Sequence, residues 1–123
     1  KLKNIFFYKF DIKLKNKIKR YDVLLHLSKR EGLPVSVMQS LLNGLPVICY
    51  NIRGNNDLIK DRFNGFFVKT YRDVPSKILY LNSQKPIFSK IRNNAIKSIN
   101  KKFFKKEINL KLYKIINNYI KYN

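Results

Sequence analysis

What the chain lacks narrows its chemistry first. Cysteine occurs once, as Cys49 inside an apolar run, so there is no disulfide framework and no metal-ligand spacing of thiols; a buried, inert thiol fits best. No apolar run approaches the roughly 20 residues that cross a bilayer, and no charged stretch leads into an uninterrupted apolar one, so neither a membrane-spanning helix nor a secretory leader is expected. A cytoplasmic protein is the expectation. Acids are scarce, with 7 Asp and Glu against 27 Lys and Arg, and the formal charge is +20.

That charge invites a nucleic-acid reading, because phosphate neutralisation by cations drives sequence-independent binding. Composition weighs against it. Lys supplies 21 of the 27 basic residues, and Asn, Ile, Phe and Tyr are abundant too, all with A/T-rich codons. Drift explains such a set better than a dedicated polyanion site, so nucleic acid is disfavoured as a partner. The basic surface should still attract anionic membranes in a salt-sensitive way, which allows peripheral contact at the inner face of a membrane.

What is present describes a folded domain. At 123 residues, with 45% apolar and 14% aromatic content, the chain can build one real core and is too hydrophobic for disorder. Residues 4–8 form a strand candidate, and 12–20 place Ile12, Leu14 and Ile18 among lysines as a short helix. The run Val23-Leu24-Leu25-His26-Leu27 reads as a strand buried on both faces, as in parallel sheets. A loop over 28–34 follows, then a helix carrying Val35, Met38, Leu41 and Leu42 at helical spacing, with Gly44 as its C-cap. Residues 46–50 are the next strand, so a parallel crossover is expected.

Beyond lies a polar loop over 51–56 containing Arg53-Gly54, and a helical turn at Asp57-Leu58-Ile59. Asn64-Gly65 marks a tight turn into the strand Phe66-Phe67-Val68. Residues 74–81 suit a short helix with Pro75 in its first turn. From Pro86, Ile91, Ala95, Ile96, Ile99 and Phe103, then Ile108, Leu112, Ile115, Ile116 and Tyr119, keep the helical period as two amphipathic helices broken near 104–107. No internal repeat or low-complexity linker interrupts this order. The fold class is therefore α/β, a partial Rossmann-like parallel sheet with flanking helices over 1–85 and an amphipathic helical tail over 86–123 packing on the same domain.

The stretch from Glu31-Gly32-Leu33-Pro34 through Gln39 to Gly44-Leu45-Pro46-Val47 is the most informative. It sets an acid at a strand-helix junction, where a helix start offers free N–H groups and a positive dipole end to phosphates. With Asp22-Val23-Leu24-Leu25-His26-Leu27-Ser28 before it, and Arg53-Gly54-Asn55-Asn56-Asp57-Leu58-Ile59 and Asn64-Gly65-Phe66-Phe67-Val68 after it, the chain resembles the donor-binding domain of a GT-B glycosyltransferase. It is most similar to the retaining family-4 enzymes of bacterial polysaccharide and lipooligosaccharide assembly. About 47 residues, 22–68, carry the pattern.

The resemblance implies roles. Glu31, the catalytic candidate, would contact the donor hexose, with Gly32, Leu33 and Pro34 lying against sugar and diphosphate. Gln39 stands where the family has a second acid for the ribose hydroxyls; its amide oxygen still accepts, without a carboxylate's charge-assisted strength. Ser28 at the strand end and Arg53 in the following loop are further donor-binding candidates. Each has a plainer alternative: a solvated or helix-start acid for Glu31, a turn hydroxyl for Ser28, a solvated cation for Arg53. His26, the only histidine, reads as a buried, hydrogen-bonded structural residue. The co-substrate implied is a nucleoside diphosphate-sugar, UDP-linked, with no metal or other cofactor, and the acceptor a lipid-linked or free glycan. The chain opens at Lys1 with no strand before its first, and the diphosphate-binding Arg and Lys of the family have no counterpart. A fragment lacking the N-terminal acceptor domain, inactive alone, is expected; a decayed, non-catalytic copy and a small basic binding module are the alternatives.

Overall fold

The computed structural model describes residue 4 and residues 17–103, with side chains as far as residue 99. The expected strand over 4–8, most of the helix over 12–20 and the second tail helix lie outside these residues. Ile18–Arg20 form a 3-10 turn whose Ile18 is buried.

Three short strands, β1 (Leu24–His26), β2 (Val47–Tyr50) and β3 (Gly65–Val68), make a parallel sheet in the order β1-β2-β3. Leu24 pairs with Val47, His26 with Cys49, and Cys49 in turn with Phe67. Helix α1 (Val35–Leu42) links β1 to β2, and the single turn α2 (Asn55–Leu58) lies between β2 and β3. A 3-10 turn at Tyr71–Asp73 then leads into α3 (Val74–Ser83) and α4 (Lys85–Phe103). This is the expected α/β architecture.

β2 is apolar at every position because both its faces are covered. Val47 and Cys49 enter one core with Val37, Leu41, Leu58, Ile59, Ala95 and Ile99. Ile48 enters the other with Phe66, Val68, Val74, Leu81 and Ile91. Alternation along one strand thus feeds two hydrophobic layers, as in sheets covered by helices on both sides.

β1 corrects the expectation of burial on both faces. The strand is three residues long and Leu25 is 45% exposed. Among the described residues β1 is the sheet edge, paired only with β2. Leu24 packs toward the core that α1 covers; Leu25, one residue on, turns to the opposite face, which the described helices leave partly open.

In α1 the spacing picks out Leu41 and Met38 correctly as core-facing, but not Val35 or Leu42, and it passes over Val37. Val35 and Leu42 are more than half exposed, whereas Val37 and Leu41 are fully buried. Val37 and Leu41 sit four residues apart and share the sheet-facing stripe; Val35 lies about 200° of helix rotation from Val37. The helix ends as Gly44 requires. With φ +71 this glycine turns the chain, while its N–H donates to Leu41 O and the Leu45 N–H donates to Ser40 O, a Schellman pairing. Gly44 also lies against Ile96 of α4, so a side chain there would crowd that contact.

α2 begins two residues before the expected turn, and Ile59 is already extended. Gly54, with φ +86, turns the chain so that Asn55 opens the helix, and the Asn55 amide donates to Tyr50 O at 3.0 Å. The turn before β3 spans 60–64, with Arg62 left-handed at φ 58, rather than centring on Asn64-Gly65. Asn64 is its buried anchor: Nδ2 donates to Leu58 O (3.0 Å) and Ser98 Oγ (2.9 Å), and Oδ1 accepts the Lys60 N–H (2.8 Å). In α4, Ile91, Ala95 and Ile99 are buried as the period predicts, while Ile96 is partly exposed. No described helix is long and apolar enough to cross a membrane.

Candidate functional site

The site grows from the end of β1. Strand period puts Leu24 and His26 on the face toward α1, and His26 is the last strand residue, at the C-terminal edge where open parallel sheets bind ligands. The chain loops through 27–34 and enters α1 at Pro34. Proline brings no side-chain acceptor to the N-cap, and no acid sits in the first turn. The opening N–H groups of α1 are therefore uncapped by any side chain, the intrahelical bonds starting with Met38 N–H to Pro34 O at 3.2 Å. Such an end carries partial positive charge toward the mouth of the sheet.

Glu31 lies in this loop, about a quarter exposed, with Oε1 3.1 Å from His26 Nε2. The distance is that of an ion pair, yet His26 Nε2 has no hydrogen-bond partner among the described residues, because its N–H direction misses the carboxylate. Both observations hold: the atoms are in electrostatic contact and the bond is not closed. Glu31 consequently keeps lone pairs for another partner.

The loop after β2 abuts the loop after β1. A Cβ at Gly54 would collide with the carbonyl oxygen of Gly32 and lie 3.3 Å from that of Glu31. Only glycine, at this left-handed φ, permits the approach. Arg53, exposed, is thereby held next to the Glu31-Gly32 segment. Gly32 itself is the reverse case, since a Cβ built there meets nothing within 4 Å. No packing demands a glycine at 32; the space over its backbone is open to a ligand.

The remaining candidates are spread more widely. Ser28 is half-buried two residues past β1, Leu33 is 44% exposed and Pro34 is buried. Gln39 is half-buried on α1, and its carbonyl accepts the Asn43 amide (2.8 Å) and backbone N–H in the helix C-cap. It lies about 6 Å along the axis from Val35. The structure thus gathers Glu31, Gly32 and Arg53 around the start of α1, with His26 as a fourth member that composition alone left as a structural residue. The readable signal for His26 was its register: same face as Leu24, last in its strand, five residues before the acid.

Two chemistries find no foothold. Cys49 is fully buried, and burial, with Asp61 adding a smaller push, raises its thiol from 9.0 to about 12, so it stays protonated and unreactive. Among the described residues no three of His, Cys, Asp and Glu gather as metal ligands.

The comparisons with known proteins agree with this fold. The family model described as glycosyl transferases group 1 matches residues 1–101. An Escherichia coli UDP-Gal:alpha-D-GlcNAc-diphosphoundecaprenol alpha-1,3-galactosyltransferase is 40% identical over 63 residues, covering 51% of this chain and 16% of that protein. The trehalose synthase of Thermococcus litoralis is 33% identical over 82 residues, 67% of this chain and 20% of that protein. Among solved structures, Anabaena HepE in complex with UDP superposes with a TM-score of 0.83 at 19% identity, covering 89% of this chain and 31% of that one. The chain spans less than a third of each of these relatives. With a parallel sheet, a Glu-Gly-Leu-Pro loop at its mouth and a family match over most of its length, this chain belongs to the group 1 glycosyl transferases and carries their GT-B fold.

Proposed function

We propose that this chain is the donor-binding half of a retaining, family-4-like glycosyltransferase that takes a hexose from a UDP-sugar during bacterial polysaccharide or lipooligosaccharide synthesis. One observation carries the reading: Glu31 and the open backbone of Gly32 sit at the mouth of the sheet, against a helix start without side-chain caps. A diphosphate suits the N–H groups and dipole of α1, which would also stabilise the charge developing on the leaving nucleotide. The hexose then lies over Gly32, where Glu31 accepts its hydroxyl hydrogens. His26 lies against that carboxylate.

Gln39 takes the ribose position, accepting hydroxyl hydrogens through its amide oxygen, and Ser28, Leu33 and Pro34 shape the wall. Arg53 offers a cation to the diphosphate or to an acidic acceptor. The acceptor, a lipid-linked or free glycan, is held mainly by an N-terminal domain of the longer protein. GT-B chemistry takes place between two such domains, and half a cleft cannot align both substrates. The 123 residues alone should therefore bind donor without transferring sugar. Cytoplasmic nucleotide-sugars would supply the donor, with the basic surface favouring the inner face of an anionic membrane.

Calorimetric titration with UDP and with UDP-hexoses tests this. Glu31→Ala should weaken the UDP-sugar about tenfold, as expected for a charged hydrogen-bonding partner, and leave UDP nearly unchanged. Gln39→Glu should tighten both several-fold through charge-assisted bonds to the ribose. Absence of UDP binding, or equal loss of UDP and UDP-sugar on Glu31→Ala, would falsify the assignment.

A further inference from the structure

Next to the Glu31 loop, over the C-terminal ends of β2 and β3, lies a second cleft of about 610 Å³. Its lining includes Tyr50 and Tyr71, Lys29 and Lys69, and Asn51 and Thr70, and no acidic residue contributes to it. These six residues make a recognisable set. Two phenol rings offer flat apolar faces to the C–H faces of a pyranose, an amide and a hydroxyl can bond its hydroxyls, and two ammonium groups suit an anion.

The turn that presents Tyr71 is held firmly. Asp73 accepts N–H bonds from Lys69 (3.1 Å) and Thr70 (2.8 Å), and the Thr70 hydroxyl also bonds it (3.2 Å). Tyr71 is 63% exposed, packs into neither core, and carries Arg72 over its ring at 5.8 Å. The guanidinium adds a third cation near the same turn.

The cleft is contiguous with the Glu31 site along the chain. Lys29 belongs to the loop that presents Glu31 two residues later, and Ile52, also in the lining, leads into Arg53 and the Gly54 that touches Gly32. A sugar lodged over β2 and β3 therefore lies beside the Glu31 loop.

We propose that this cleft is an acceptor subsite for an acidic sugar, with Tyr71 as its stacking platform and Lys29 and Lys69 as the partners of its carboxylate. This rests on the glycosyltransferase reading above. It adds to that reading a place for part of the acceptor on this half of the protein, and narrows its chemistry to an acidic sugar.

NMR amide-shift titration of the 123-residue chain tests it, with trigalacturonate, a neutral trisaccharide of equal length, inorganic phosphate and UDP as separate ligands. Trigalacturonate should saturate the shifts of Asn51, Lys69, Thr70 and Tyr71, with the neutral trisaccharide and phosphate each about tenfold weaker. Tyr71→Ala should weaken trigalacturonate about fivefold, the size of a stacking contact, and leave UDP unchanged. The Lys29→Ala, Lys69→Ala double variant should lower the acidic sugar to the level of the neutral one. Unsaturable shifts spread over the basic surface, equal binding of phosphate, or indifference to both variants would overturn the subsite. UDP binding without trigalacturonate binding sinks the subsite alone; trigalacturonate binding without UDP binding sinks the transferase reading and the acceptor role with it.

Discussion

Two loops of this small sheet make opposite use of their polar groups. In the loop before β3, Asn64 is 1% exposed and every amide valence it has used is matched: Leu58 O, Ser98 Oγ and the Lys60 N–H. In the loops that meet after β1 and β2, polar groups are gathered but left open. His26 Nε2 lies near Glu31 without a closed bond, and the start of α1 has no side-chain cap. A polar group matched from within stabilises the fold, whereas one held in place and unmatched is available to a ligand. The contrast separates scaffold from site.

The sharpest way to break that contrast is at its saturated end. Asn64→Ala removes three bonds at once, one buried and two partly buried, and should cost about 2–4 kcal/mol in urea unfolding, since it orphans Leu58 O and the Lys60 N–H. Next is Gly54→Ala, which forces a Cβ into the Gly32 carbonyl at a left-handed φ; a loss of about 1–3 kcal/mol is expected. Because the displaced atoms belong to the site, this variant should also lose UDP affinity, which Asn64→Ala should not. If both variants keep UDP affinity, the 51–54 loop is scaffold only.

Gly32→Ala inverts the pattern. Its Cβ meets open space and its φ is not left-handed, so stability should stay the same or rise by about 0.5 kcal/mol, while UDP-sugar affinity falls. A stable variant with unchanged affinity would show that nothing approaches the Gly32 backbone. The smallest effect concerns Asp73. The backbone N–H of Thr70 first, then the Thr70 hydroxyl, the Lys69 N–H and the charge of Lys77, hold its carboxyl below 3.8 against desolvation, which opposes them and is second in size only to the Thr70 N–H. A lowered folded-state value means stability present above 3.8 and lost as pH falls through that lower value. Asp73→Asn should flatten the urea midpoint between pH 5 and 2 relative to the parent chain; parallel curves would remove the pH role of this exposed turn.

Much of this was legible in the sequence because its signals are local. An apolar run between turn residues gave β2, Gly44 gave the end of α1, and Pro75 marked the first turn of α3. Burial was less legible wherever it depends on which neighbours cover a face. Leu25 looks like its strand neighbours in composition, and its exposure follows from a sheet face that the described helices leave partly open. Val35 and Val37 are the same residue type two positions apart, and only packing against sheet and α4 decides which is buried. The acid and glycines of the site were readable as a motif, while the contact of His26 with Glu31 and the packing of Gly54 on Gly32 join segments that only the fold brings together.

The long helix α4 ties the two layers of the domain to a single segment. Its Ile91 belongs to one core, and its Ala95 and Ile99 to the other. During synthesis, the layer around Ile48 lacks its α4 wall until residue 91 has left the ribosome, and the layer around Val47 and Cys49 until residue 99 has. The strands therefore wait, with apolar faces uncovered, for a stretch of chain that follows β3 by some thirty residues. Such a segment folds late and as one unit, and its aggregation risk is concentrated in that interval of translation.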